Sequence, residues 1–342
     1  MQTTNIFKGK KVLFFSPKFF GYGVEIAKKL EILGCDVDYF DEKPNNDFIT
    51  KALVRVNKKI LSRKIYDYYS LIFKDLNKDV YDIVFFLTPE SISVKSLKHL
   101  KSIQPNAKFV LYMWDSLKNR QNVLDLLPFF DYKFSFDKQD CNQLENNFNF
   151  RPLFYLDIYK NITYNKSTID LFFVGTVHSD RLRLLKEIEN ECKKLAKRSF
   201  YFMFLQSKII YYYRKLTDKH FRKSNIQDFA FKSLSQKELI KKLAVSNSVL
   251  DIQHPLQSGL TMRAIEMIGA KKKLITTNRD IANYDFFNSN NILIIDRNKP
   301  KLKSSFFESK YVDLEENIYF KYSIEGWLEE IFSESLKITI KN

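Results

Sequence analysis

The sequence predicts an α/β protein made of two Rossmann-like, doubly wound domains facing a cleft. Three observations carry this prediction. Short apolar runs without polar alternation recur along both halves, as strands covered on both faces of a parallel sheet require. Segments of helical periodicity fill the gaps, and strands alternating with helices point to a doubly wound sheet. A polar stretch without period, YKNITYNKST, separates two halves of similar size, and a chain of 342 residues is long enough for two cores.

In the first half the apolar runs place strands at Lys11–Ser16, Asp36–Phe40, Asp82–Thr88, Lys108–Trp114 and Tyr132–Phe136. Helices are predicted at Val24–Leu33 and Val94–Ile103, and again at Lys138–Phe148 behind an Asp137 cap. The segment Asp157–Thr168 reads as an interdomain linker. The second half predicts strands at Leu171–Gly175, Phe200–Leu205, Val249–Ile252, Lys273–Thr277 and Ile292–Asp296. Helices are expected at Asp180–Arg198, Gln236–Val245 and from Leu260 to about Ala270. Domain boundaries follow at 1–157 and 169–322. The tail 323–342, with a helix near Ser323–Phe332, is expected to pack back on the first domain.

A hydrophobic content of 45% and an aromatic content of 15% describe a globular chain. Cys35, Cys141 and Cys192 are an odd set without metal-ligand spacing, which fits a reducing compartment. The N-terminus runs straight into a strand with no signal-peptide plan, and no run reaches the length of a membrane span. The expectation is a cytoplasmic protein. The net charge of +16 suits an anionic partner. Basic clusters at Lys51–Lys64, Lys193–Arg198 and Arg214–Lys223, the first followed by Tyr66, Tyr68 and Tyr69, suit an anionic membrane surface at its inner face. The alternative is a set of solvated helix faces. No nucleic-acid module is recognisable, so no nucleic-acid partner is expected.

The segment with the most chemistry is Val249–Asn278. Its strand runs into the turn Gln257-Ser258-Gly259 and then a helix carrying Glu266. Amides of the turn and of the first helical turn, beginning near Thr261, meet the positive end of the helix dipole, where phosphate binds well. Glu266 lies about 10 Å along the axis from Gly259, within reach of a ribose beside a bound diphosphate. The plainer reading pairs Arg263 with Glu266 as an i,i+3 surface contact. Upstream, VGTVHSDRLR puts Gly175, Thr176, His178 and Arg181 at a strand end and helix start, where a cation suggests an anion. His254 ends a strand and would meet a phosphate or sugar, or simply sit satisfied in a turn.

In the first half, the loop PKFFGYG contains Gly21, Tyr22 and Gly23. Either the glycines bring backbone close to a ligand, or they serve a plain turn needing positive φ. Asp115 follows Trp114 at the end of a central strand. Beside that ring it would have a raised pKa suited to a general base, or else it caps a helix. No Ser-His-Asp order, HExxH or metal cluster is present, so no metal or cofactor is expected beyond the substrate itself.

Taken together, the chain resembles a GT-B glycosyltransferase of the family 1/4-like type. Phe173-Val174-Gly175-Thr176 is similar to the family's VGT strand end. Gln257, Ser258, Gly259 and Thr261 match its Ser/Gly turn, Glu266 its second glutamate, and Leu274–Asn278 the following strand. Trp114-Asp115-Ser116 resembles a spore-coat and capsule branch. The resemblance implies a nucleotide-sugar donor on the C-terminal domain and a glycan or lipid-linked acceptor on the N-terminal domain, around Gly21, Tyr22, Gly23 and Trp114. It further implies Glu266 on the ribose, Arg181 and the 258–261 backbone on the diphosphate, and Asp115 as base. Eight residues before Glu266 stands Ser258, not the family's first glutamate, which leaves inverting and retaining courses both open. The rival expectations are a nucleotide-sugar epimerase of the same fold and a non-catalytic basic membrane- or nucleic-acid-binding protein.

Overall fold

The computed structural model describes residues 6–44, 62–76, 80–255 and 259–336. Contacts divide the chain into two compact units, Met1–Leu153 with Ile324–Asn342, and Phe154–Ser323.

The first unit carries strands β1 (Lys11–Ser16), β2 (Asp36–Asp41), β3 (Ile83–Leu87), β4 (Lys108–Met113), β5 (Tyr132–Ser135) and β6 (Asn149–Phe150). All pair in parallel, in the order β2-β1-β3-β4-β5-β6. Between them run α1 (Tyr22–Leu33), α2 (Ser62–Leu76), α3 (Val94–Ile103) and α4 (Lys138–Cys141). The apolar runs have their cause here: successive side chains point to opposite faces, and both faces are covered. Leu13, Phe15, Val84, Phe86 and Leu111 face one core with Tyr69, Phe73, Leu97 and Leu100. On the other face, Phe85 and Tyr112 pack on the buried Trp327 of the C-terminal helix Ile324–Leu336, ring centroids 6.0 and 4.8 Å apart. The strand order reverses between β1 and β3.

The second unit begins with α5 (Asp157–Lys160) and repeats the plan with β7 (Ile169–Thr176), β8 (Ser199–Phe204), β9 (Phe229–Ala230), β10 (Ser246–Asp251), β11 (Lys273–Thr276) and β12 (Ile292–Ile294). The parallel order is β12-β11-β10-β7-β8-β9, so the reversal lies between β7 and β10. Its crossings use α6 (Arg181–Lys194), α7 (Lys208–Thr217), α8 (Lys219–Arg222), α9 (Gln236–Ala244) and α10 (Met262–Gly269). The α9 start is fixed by a capping box in which Ser235 and Glu238 satisfy each other's backbone amides. Leu184, Leu185, Ile188 and Cys192 of α6 pack on Leu171, Phe173, Leu250 and Ile275, while a smaller cluster joins Val177, Leu182, Leu205, Tyr211, Phe221 and Phe229. Two Rossmann-like domains are therefore present.

Three local expectations are corrected. The helix expected over Lys138–Phe148 stops at Cys141, with a separate 3₁₀ turn at Leu144–Asn146. Asn147 then sits in the left-handed region at φ 48, which ends any continuation. The segment read as a linker opens with a short helix, α5, over Asp157–Lys160. The expected helix from Leu260 begins at Met262, where Thr261 caps it.

Candidate functional site

Ligands of open α/β sheets bind outside the carboxyl ends of the strands, where strand order reverses. In the second unit that point lies between β7 and β10. Arg181, the first residue of α6, spans it. Its Nε and Nη2 donate to the Ile252 carbonyl after β10, Nε at 2.9 Å, and its Nη1 donates to the Thr176 carbonyl at the end of β7, also 2.9 Å. The guanidinium expected on a diphosphate is thus committed to two main-chain carbonyls and fixes the spacing of the two strand ends. Gly175 leaves room for the Phe173 ring: a Cβ there would lie 3.0 Å from that ring and 3.6 Å from Arg181 Nη1.

Past these strand ends, His178 and His254 face each other with centroids 5.3 Å apart. The His178 Nδ1 lies 3.2 Å from Ser179 Oγ. Burial first, then the neighbouring Arg181, His254, Arg214 and Arg297, push the His178 pKa down to about 4. The imidazole is therefore neutral at physiological pH within a cationic surround. Asp180 does not pair with Arg181. It takes a two-pronged contact from Arg297 at 3.0 and 2.6 Å and another from Arg183 at 3.2 Å, and Arg297 also donates to the Gln253 carbonyl at 3.1 Å.

Of the turn, Gln257 and Ser258 lie outside the described residues, and Gly259 accepts from Asn278 Nδ2 at 3.3 Å through its carbonyl. The Thr261 hydroxyl accepts from the Ala264 amide at 3.1 Å and donates to Asp251 at 2.8 Å. The amides of Met262 and Arg263 precede the first intrahelical bond, as at any helix start. Asp251 is the residue that sequence reasoning missed. It is buried at the end of β10, accepts also from Thr276 Oγ1 at 3.2 Å, and has its pKa raised by that burial. Its only sequence signal is a carboxylate directly after the apolar pair Val249-Leu250.

Glu266 is buried in α10, with Tyr159 of α5 donating to Oε1 at 2.6 Å and Arg263 pairing with Oε2 at 2.8 Å. The i,i+3 pair is thus present, and Tyr159 joins it from a segment that the sequence marked only as polar. Where α10 ends, Gly269 faces Tyr155, and a Cβ there would come within 2.9 Å of the Tyr155 Cβ and nearer still to its ring.

Asp115, Trp114, Gly21, Tyr22 and Gly23 form a second group, at the strand ends of the first unit. Trp114 packs against Phe19 and Tyr22, with centroids 5.7 and 6.2 Å away. Its amide donates to Thr88 Oγ1 at 2.9 Å, and Thr88 itself holds φ 43, a strained value for a β-branched residue. Gly21 takes φ 80 ahead of α1. Gly23 serves internal packing, because a Cβ there would lie 2.5 Å from Tyr39 Oη and 2.7 Å from Ser16 Oγ. The cap position beside Asp115 belongs to Ser116. Asp115 instead accepts from Arg120 Nε at 2.9 Å and Asn119 Nδ2 at 3.0 Å.

Arg120 continues to Glu90 at 3.0 Å, and Glu90 to Lys43 at 2.5 Å, a relay of alternating charges that sequence reasoning missed. Next to it, fully buried Glu42 accepts the Glu90 and Ile92 amides at 2.8 and 3.2 Å on Oε1, together with the Ser91 amide. Burial raises its pKa to about 7, against the lowering influence of Ser91 and Lys43. Charged residues directly after β2 and three residues past β3 were the available signal.

No family model and no curated protein matches the chain. Solved structures do. A glycosyltransferase from Rickettsia africae ESF-5 is 15% identical, with 97% of this chain and 100% of that one covered and a TM-score of 0.59. Anabaena Alr3699/HepE, in complex with UDP and glucose, is 11% identical over 96% of this chain and 100% of that one, with a TM-score of 0.54. The fold is GT-B. A UDP-GlcNAc 2-epimerase from Methanocaldococcus jannaschii, in complex with UDP-GlcNAc and UDP, is 14% identical over 95% of this chain and 99% of that one, at 0.52. At these identities the likeness is one of fold. Within the GT-B frame, His178, His254, Thr261 and Glu266 belong to the second unit and Asp115 to the first.

Proposed function

We propose that the protein transfers a sugar from a nucleotide-sugar donor to a glycan or lipid-linked acceptor in surface polysaccharide synthesis, with the donor held by the second unit. The observation that carries this reading is the cationic switch point, where His178, neutral at physiological pH, faces the His254 ring among Arg181, Arg214 and Arg297. Such a surround lowers the energy of an anion, and the α10 terminus adds amides and dipole. The complex of HepE with UDP-glucose supports the same choice of ligand.

In the proposed reaction the bond between the anomeric carbon and the donor phosphate breaks, and its electron pair leaves on the nucleoside diphosphate. The acceptor hydroxyl oxygen forms the new glycosidic bond and gives its proton to a carboxylate base, the role that the resemblance implies for Asp115. Charge developing on the diphosphate is met by fixed dipoles and imidazole N–H, without a metal. Glu266, held by Tyr159 and Arg263, is assigned to the ribose hydroxyls. The three free cysteines accord with a cytoplasmic, reducing location.

A thermal-shift screen against UDP-, GDP-, CMP- and dTDP-sugars tests the donor class, because a ligand of the native state raises apparent stability. With the donor identified, Glu266→Ala is expected to abolish transfer in a folded protein, and full activity in that variant sinks the assignment. Epimerisation is the second reading, favoured by the 2-epimerase of the same fold. Product analysis with a labelled donor separates it, since an epimerase returns a labelled nucleotide sugar without any acceptor.

A further inference from the structure

Helix α7 presents an unpartnered apolar face. Its inward side is anchored by Tyr211, which is buried against Phe221 and Phe229 and donates to the Ser224 carbonyl at 3.0 Å. Its outward side carries Ile209, Tyr212, Tyr213 and Leu216, exposed by 80%, 57%, 66% and 76%. That spacing of i, i+3, i+4 and i+7 makes one continuous stripe along the helix. Four of the sixteen large apolar residues exposed among the described residues therefore fall on one ten-residue helix, which is not the single scatter of an ordinary surface.

The border of the stripe is basic. Between Lys208 and Lys223 stand Lys208, Arg214, Lys215, Lys219, Arg222 and Lys223 against a single carboxylate, Asp218, which caps α8 through the His220 amide. Lys208, Lys215, Lys219, Arg222 and Lys223 are exposed.

We propose that α7 and α8 dock on an anionic lipid bilayer surface, the α7 stripe entering the boundary between headgroups and acyl chains while the lysines and arginines meet lipid phosphates. Charge decides the occupant. A second copy would set a strongly cationic patch against another, whereas anionic lipid neutralises it. Aliphatic Ile209 and Leu216 match acyl chains and not a phosphodiester backbone. No helix among the described residues is long and apolar enough to cross a membrane, so attachment through this face is interfacial. The proposal does not depend on which reaction the second unit performs.

Flotation of the full chain with vesicles tests it. Binding is expected to phosphatidylcholine vesicles containing 30% phosphatidylglycerol and to be lost in pure phosphatidylcholine. The exposed stripe permits substitution without disturbing the core, so Ile209→Ser/Tyr212→Ser/Tyr213→Ser/Leu216→Ser should keep the wild-type Tm and bind at least about tenfold more weakly. Lys208→Ser/Lys215→Ser should weaken binding by about tenfold. Ile32→Ser/Val80→Ser, exposed apolar positions elsewhere, should leave it unchanged. Equal binding by the stripe variant, or equal loss in the control variant, overturns the proposal. So does a stripe-dependent dimer in sedimentation velocity, or stripe-dependent binding of single-stranded RNA in place of vesicles.

Discussion

The buried carboxyl of Glu42 makes the stability of the first unit depend on pH in a direction opposite to most carboxylates. Its pKa stands near 7 in the folded chain against an ordinary 4.5. Between those values the native state holds a proton that the unfolded state has lost, so stability is fully present below pH 4.5 and falls as pH rises through 7. A shift of that size corresponds to about 3 kcal/mol at roughly 1.4 kcal/mol per pH unit. For a domain of this length, that is about 6–12 °C in Tm. Glu42→Gln keeps the acceptor for the three backbone amides and removes the ionisation. It should therefore gain most of this stability at pH 8 and none at pH 4.5. Paired melts of wild type and variant at pH 5 and 8 measure the difference. His178 works the other way from the second unit: its lowered pKa gives stability present above 6.5 and lost as pH falls toward 4. Repeating the comparison in a His178→Gln background isolates Glu42. If Glu42→Gln leaves the difference between pH 5 and 8 unchanged in that background, the buried carboxyl is not ionising as the geometry requires.

Two further outcomes follow from the second unit. Gly269→Ala brings a Cβ against Tyr155, whose backbone is fixed by the Tyr322 carbonyl and whose hydroxyl is bonded to the Tyr319 carbonyl. Overpacking there should outweigh alanine's helix preference and lower stability by about 1–3 kcal/mol, while an unchanged or raised Tm contradicts the close approach. A diphosphate beside His178 should raise its pKa from about 4, so UDP binding near pH 5 should take up a proton. Calorimetry in buffers of differing ionisation enthalpy reads that uptake, and its absence in wild type would place the phosphate elsewhere.

The strands were legible because burial on both faces leaves no polar alternation: KVLFFS and IVFFL can be little else. Helix α7 was hidden within the largely apolar stretch Phe200–Tyr213, where a strand and a helix adjoin and only Leu205, Gln206 and the Ser207 cap divide them. Its outward stripe also inverts the usual rule that apolar periodicity points to the core. At the candidate site, the Arg263–Glu266 pair could be read from spacing alone, because helix geometry fixes it. Tyr159 could not, since it reaches Glu266 across 107 residues of chain. Nor could the meeting of Glu42 with Glu90 and Ser91, which depends on adjacent strand ends brought together by the sheet.

Arg181 has a consequence for selectivity. With its guanidinium donating to the Thr176 and Ile252 carbonyls, the gap between β7 and β10 behaves as a gauge of fixed width. Widening it would strand a largely buried cation, which costs far more than a typical ligand contact returns. In the proposed donor site, anions of different size would therefore be distinguished by the loops carrying His178 and His254 and not by the strand ends beneath them.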